Sequence, residues 1–150
     1  MSVKLAKSND AEVRKLTEQL SQVFGDQDAV RRSLATVKDT SANLETRRSA
    51  LRSLLAQQVA QVGPVLESLL DDADMSLEAI RGYAAIDVKS APQILLTRYS
   101  KMKPELRRAV IETLATRRRY AESLLDAIKD KSVAREDIPA HVARSLSIIL

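Results

Sequence analysis

Eight basic residues crowd between Arg98 and Arg119: Arg98, Lys101, Lys103, Arg107, Arg108, Arg117, Arg118 and Arg119. Only Glu105 and Glu112 oppose them, so this stretch carries +6 of a chain whose net charge is +4. Clustered arginine and lysine release counterions from phosphates, and the interleaved Tyr99 and Tyr120 offer faces on which a base could stack. A nucleic-acid backbone is one partner such a strip suits. The plainer reading is a solvated, salt-bridged face or a contact with an acidic neighbouring domain, and it weighs more, because charge runs are usually solvated.

Other chemistry is poorly supported. Asp71, Asp72 and Asp74 would suit a divalent cation, yet the glycine and distal glutamate of a calcium loop are missing, and helix capping explains them better. His141 is the single histidine. One histidine supports neither a structural zinc site nor a recognisable nucleophile–base–acid arrangement. The absence of cysteine removes disulfides, thiolate metal sites, thiol catalysis and covalent c-type haem from this chain. The three glycines are isolated, so no phosphate-cradling loop is present. No catalytic residue, metal ligand or cofactor is expected.

The elements that position these residues follow from periodicity. Val13, Leu16, Leu20, Val23 and Phe24 step by three or four along one helix, expected to end at Gly25. Val30, Leu34 and Val37 mark a second. Asn43 is placed to cap a third, with Leu51, Leu54, Leu55 and Val59 inward. Gly63-Pro64 is expected to separate it from a fourth carrying Val65, Leu66, Leu69 and Leu70. After the linker at 71–74, a fifth helix holds Leu77, Ile80, Ala84 and Ile86. Gly82 inside it costs about 1 kcal/mol relative to Ala, which implies a close helix–helix approach. Ser90 and Gln93 have capping-box spacing before Ile94, Leu95 and Tyr99. Pro104 suits the first turn of a seventh helix with Leu106, Ala109, Val110 and Leu114. An eighth carries Ala121, Leu124, Leu125 and Ile128, and a ninth begins near Pro139. With one Phe, three Tyr and no Trp, the core is expected to be aliphatic, and Tyr99 and Tyr120 to sit at its rim with buried rings and wet hydroxyls.

A glutamate followed three residues later by a base recurs at Glu12/Lys15, Glu45/Arg48, Glu78/Arg81 and Glu105/Arg108, with glutamate spacings of 33, 33 and 27 residues. Glutamate in a first turn complements the helix dipole, and a base at i+3 can pair with it. Stacked units would also bring one unit's glutamate beside the next unit's arginine, forming a ladder. A period of this length in a helical chain predicts an all-α solenoid of about four stacked hairpins, a single domain over residues 1–150.

Asp10-Ala11-Glu12-Val13-Arg14, Leu44-Glu45-Thr46-Arg47-Arg48-Ser49-Ala50-Leu51 and Lys103-Pro104-Glu105-Leu106-Arg107-Arg108 resemble the Asp-Pro-x-Val/Leu-Arg opening of HEAT repeats. The last third, Pro104 to Arg117, Ala121 to Ile128 and Val133 to Ile138, is similar to the HEAT segment of large bacterial multidomain proteins of the membrane-bound dehydrogenase type. That resemblance implies a propeller domain upstream, a c-type haem domain downstream and a spacer role for this segment. It carries over no catalytic residue.

The apolar ends, Val3 to Ala6 and Ile148 to Leu150, are consistent with a segment of a longer protein. No apolar run approaches the ~20 residues of a membrane helix. The expected role is a non-enzymatic scaffold that positions flanking domains or binds a protein. The alternative is a nucleic-acid-backbone module using Arg98, Lys101, Arg107, Arg108, Arg117, Arg118 and Arg119. A third reading, an alkylated-base glycosylase, needs a carboxylate in an aromatic-lined cleft, which this composition hardly supplies.

Overall fold

Asn43 sets the first clear boundary: its side-chain oxygen accepts the Glu45 N–H at 2.8 Å and opens a helix, as its residue type dictates. The computed structural model describes residues 10–150. Among them are α1 (Asp10–Lys38), α2 (Leu44–Ala56), α3 (Val62–Leu69), α4 (Ser76–Ala85), α5 (Ala91–Tyr99), α6 (Pro104–Leu114), α7 (Arg118–Lys129) and α8 (Ala140–Ile149), with a 3-10 turn at Arg135–Asp137. The described residues are thus all-α, with no strand, and none of their helices is long and apolar enough to cross a membrane.

Helix contacts fall into two rows: in one, α2 touches α4 and α4 touches α6; the other is two separate contacts, α1 with α3 and α5 with α7. Cross-contacts α1–α2, α3–α4, α5–α6, α6–α7 and α7–α8 join the rows. The core runs between them through Leu51, Leu54, Leu66, Ile80, Leu95, Ile111, Leu114 and Leu124.

Three expectations about helix ends need correction. The first two helices are one: α1 runs 29 residues through Gly25, where nothing approaches the glycine and its φ is not positive. A single glycine costs only about 1 kcal/mol, and no proline or left-handed residue stands beside it to convert that cost into a break. Eight α-helices therefore stand where nine were expected among the described residues. Gly63 and Pro64 lie inside the first turn of α3 rather than before it, where the proline's missing N–H goes unneeded. Ser90 precedes α5 without a capping bond. Its backbone is αR, and Pro92 removes one of the N–H groups a capping serine would bind.

Gly82 behaves as expected. A Cβ there would lie 2.7 Å from Leu66 Cδ2 and 3.4 Å from Leu55 Cδ1, so α4 approaches α3 and α2 only because the side chain is absent. Pro104 opens α6 from an extended Lys103. Left-handed turns fall instead on Gln58 (φ 52°) and Lys131 (φ 69°). After α2, the Val59 N–H reaches Leu54 O at 3.2 Å and the Gln58 N–H reaches Leu55 O at 3.0 Å, the paired bonds of a Schellman end.

Candidate functional site

The glutamate–base motifs do not behave as equivalents. Arg48 lies 3.0 Å from Glu45 on its own helix and 3.2 Å from Glu78 at the start of α4, so one rung joins two successive motifs, with the arginine on the earlier one, the reverse of the expected order. Its Nε faces Glu78 as an ion pair, without the alignment of a directed hydrogen bond. Among the described residues no ion pair joins Glu12 to Lys15, Glu78 to Arg81 or Glu105 to Arg108. Arg108 turns to Glu112, 3.1 Å away.

That rung forms one wall of a groove of about 720 Å³ where the start of α4, the end of α5 and the start of α6 converge. Leu70, Leu77, Ile80, Met102 and Leu106 supply apolar lining. Arg48, Arg98, Lys101 and Lys103 alternate around it with Asp71, Asp74, Glu78 and Glu105. Arg98 Nε is 3.7 Å from Asp71. A wider cavity of about 920 Å³ lies beside α1, α2 and α3, but its polar lining includes Arg47 and Asp72, which engage each other.

The rest of the basic strip is spread over several elements. Arg107 donates to the Tyr99 carbonyl at 3.2 Å and the Ser100 carbonyl at 2.7 Å, with its guanidinium 5.4 Å from the Tyr99 ring centre. Arg117 donates to Ala84 O at 3.2 Å and lies 5.8 Å from the Tyr120 ring centre. Its Nε is buried with no partner. Arg118 pairs with Glu122 along α7, and Arg119 pairs with Asp87. Arg98 and Lys101 share the groove; Arg107, Arg108, Arg117, Arg118 and Arg119 lie outside its lining.

Tyr99 and Tyr120 are not rim residues with wet hydroxyls. Tyr83 and Tyr120 are fully buried and Tyr99 nearly so. The Tyr120 hydroxyl accepts the Val88 N–H at 2.9 Å. It lies 3.1 Å from Ile86 O and 3.2 Å from Tyr83 O, and donates its one proton between them. Tyr99 donates to Asp137 at 3.0 Å. Tyr83 has a buried hydroxyl with no partner. Burial pushes both Tyr83 and Tyr99 up to about 12; for Tyr99, the bond to Asp137 adds to the effect.

The sequence reading missed Arg47, which is buried, donates to Val37 O at 2.9 Å and meets Asp72 at 2.6 Å. The Arg47 hydrogen bond holds the Asp72 carboxyl below the usual carboxylate range. Its signal was present: Arg47 precedes Leu51 and Leu54 at helical spacing, on the inward face. Asp72 thus serves a buried guanidinium, while Asp71 and Asp74 line the groove. His141 is exposed on α8, and no cluster of three metal-ligating side chains occurs among the described residues. Compared with protein-family models, curated proteins and solved structures, the chain finds no match.

Proposed function

We propose that this chain is a protein-interaction module, a HEAT-like solenoid of about four helical hairpins whose groove over α4, α5 and α6 receives a polypeptide segment. The groove carries the reading. An apolar floor ringed by alternating bases and acids suits a mixed-charge peptide, whose backbone and side chains need both donors and acceptors. A phosphate backbone would meet Asp71, Asp74, Glu78 and Glu105 as well as the bases, and like charges repel it. The two-row helix contacts support the solenoid assignment, as do side-chain bonds spanning 33 residues, Thr113 to Ile80 O and Arg117 to Ala84 O. Within a longer chain the same module would act as a spacer between domains, the role implied by the resemblance of its last third.

The test selects binders from a random displayed peptide library and maps them by amide chemical shifts. The reading expects shifts concentrated at 70–78 and 97–106, and loss of binding in the Lys101→Glu/Lys103→Glu variant. Duplex DNA serves as the competitor. Binding of DNA that weakens steeply with salt and vanishes in Arg117→Glu/Arg118→Glu/Arg119→Glu would replace the peptide reading with the nucleic-acid one.

A further inference from the structure

Residues 11–29 of α1 are exposed almost without exception, although they carry a regular apolar stripe. Val13, Leu16, Leu20 and Val23 step by 3, 4 and 3, and the same stripe continues through Gln27 to Val30, Leu34 and Val37. In its second half the stripe packs on the chain's own core: Val37 is fully buried, and Val30 and Leu34 pack against the core cluster. In its first half Val13, Leu16, Leu20, Val23 and Phe24 remain 49–64% exposed. A seam this narrow, with strict alternation of three and four, is the kind that takes one more helix.

The order of residue types identifies that helix. Val13, Leu16, Leu20, Val23 reads the same in both directions about Glu18. Two copies laid antiparallel would face Val13 with Val23 of the second copy, and Leu16 with Leu20 of the second copy. Such a patch is self-complementary under two-fold symmetry, as an isologous interface requires. Antiparallel pairing also sends the two folded bodies to opposite ends of the seam. A parallel pair would bring them together where the stripe is already occupied. We propose that this chain forms a homodimer through an antiparallel helix pair built from residues 13–24 of α1.

The flanks give the association a charge signature. In the antiparallel register Glu12 falls beside Asp26 of the second copy at each end, so like charges oppose the apolar seam. Added salt screens that repulsion and tightens the dimer, the opposite of its effect on phosphate binding. The proposal concerns a different surface from the groove and stands or falls without it.

The experiment uses the whole chain in sedimentation equilibrium. A reversible dimer that strengthens from low to moderate salt is expected, and Leu16→Glu/Leu20→Glu should be monomeric at the same concentrations. Both side chains are exposed, so far-ultraviolet circular dichroism of the variant should show the body still folded. Orientation is read by disulfide trapping, which the cysteine-free chain makes clean. An equimolar mixture of Val13→Cys and Val23→Cys chains should oxidise mainly to the mixed dimer. A chain that stays monomeric, a dimer indifferent to the Leu16/Leu20 substitutions, or preferential Val13→Cys self-pairing would each overturn the proposal.

Discussion

The guanidinium of Arg47 and the carboxylate of Asp72, 25 residues apart, meet at 2.6 Å with the arginine side chain 3% exposed and the aspartate 19% exposed. The contact ties the first turn of α2 to the linker before α4. Removing Asp72 strands a buried charge, and losses of about 3–5 kcal/mol follow when one partner of such a pair is deleted. Asp72→Ala should therefore lower stability by roughly that amount in urea unfolding. Arg47→Met/Asp72→Leu, which removes both charges, should recover most of it. The pair also sets an acid limb. Because the folded Asp72 carboxyl lies below its ordinary 3.8, its contribution is complete above that pH and is lost as pH falls through the lowered value. The Asp72→Ala variant should show a flatter acid limb.

Tyr120 and Tyr83 form a contrasting pair. Tyr120→Phe leaves the Val88 N–H without its partner and withdraws a donor from Tyr83 O and Ile86 O, which should cost about 1–3 kcal/mol. Tyr83→Phe removes a buried hydroxyl that bonds nothing, and should be neutral or stabilising. Equal destabilisation by both would contradict these hydrogen-bond assignments.

Gly82→Ala tests the close approach. Helix propensity alone would gain about 1 kcal/mol. The new methyl would press on Leu66, which is fully buried and held with Leu55 on the same side. Overpacking of that kind costs about 1–3 kcal/mol, so the net change should be a loss of thermal stability. Trimming Leu66 to Val in the same chain should return part of that loss; a Gly82→Ala chain more stable than the parent would show that Leu66 can move aside.

Phenolate absorbance supplies an alkaline test. The folded values of Tyr83 and Tyr99 are raised from 10.0 to about 12. A raised value means that the stabilisation is complete below 10.0 and disappears as pH climbs through the folded value. At a pH between the two, the native chain should keep both tyrosines protonated, and denaturant should release their ionisation at once. Ionisation of both in the native state at that pH would be the contrary result.

Helix positions were largely legible because apolar spacing reports which face is buried, and Asn43 and Pro104 act through local geometry. Gly25 misled because a weak local preference yields to continuous helix on both sides. The ends of α2 and α7 were harder to see, since Gln58 and Lys131 adopt left-handed φ without being glycine. Arg47, Tyr83 and Tyr120 were missed as interior residues for another reason. Their burial is decided by acceptors 10 to 37 residues away or, for Tyr83, by packing alone. The basic strip looked continuous in sequence, but Arg107 and Arg117 turn toward carbonyls that only the folded chain brings near.

The side-chain bonds spanning 33 to 37 residues run in one direction. Thr113, Arg117 and Tyr120 donate, and carbonyls of Ile80, Ala84, Tyr83 and Ile86 receive. The final carbonyls of a helix have no partner within it, and at the end of α4 the Tyr83 and Ala84 carbonyls are met by Tyr120 of α7 and by Arg117 just before it. Completion of α4 thus waits on docking of the start of α7. Amide exchange near the end of α4 should report the integrity of α7, and this joint should melt as one cooperative block rather than helix by helix.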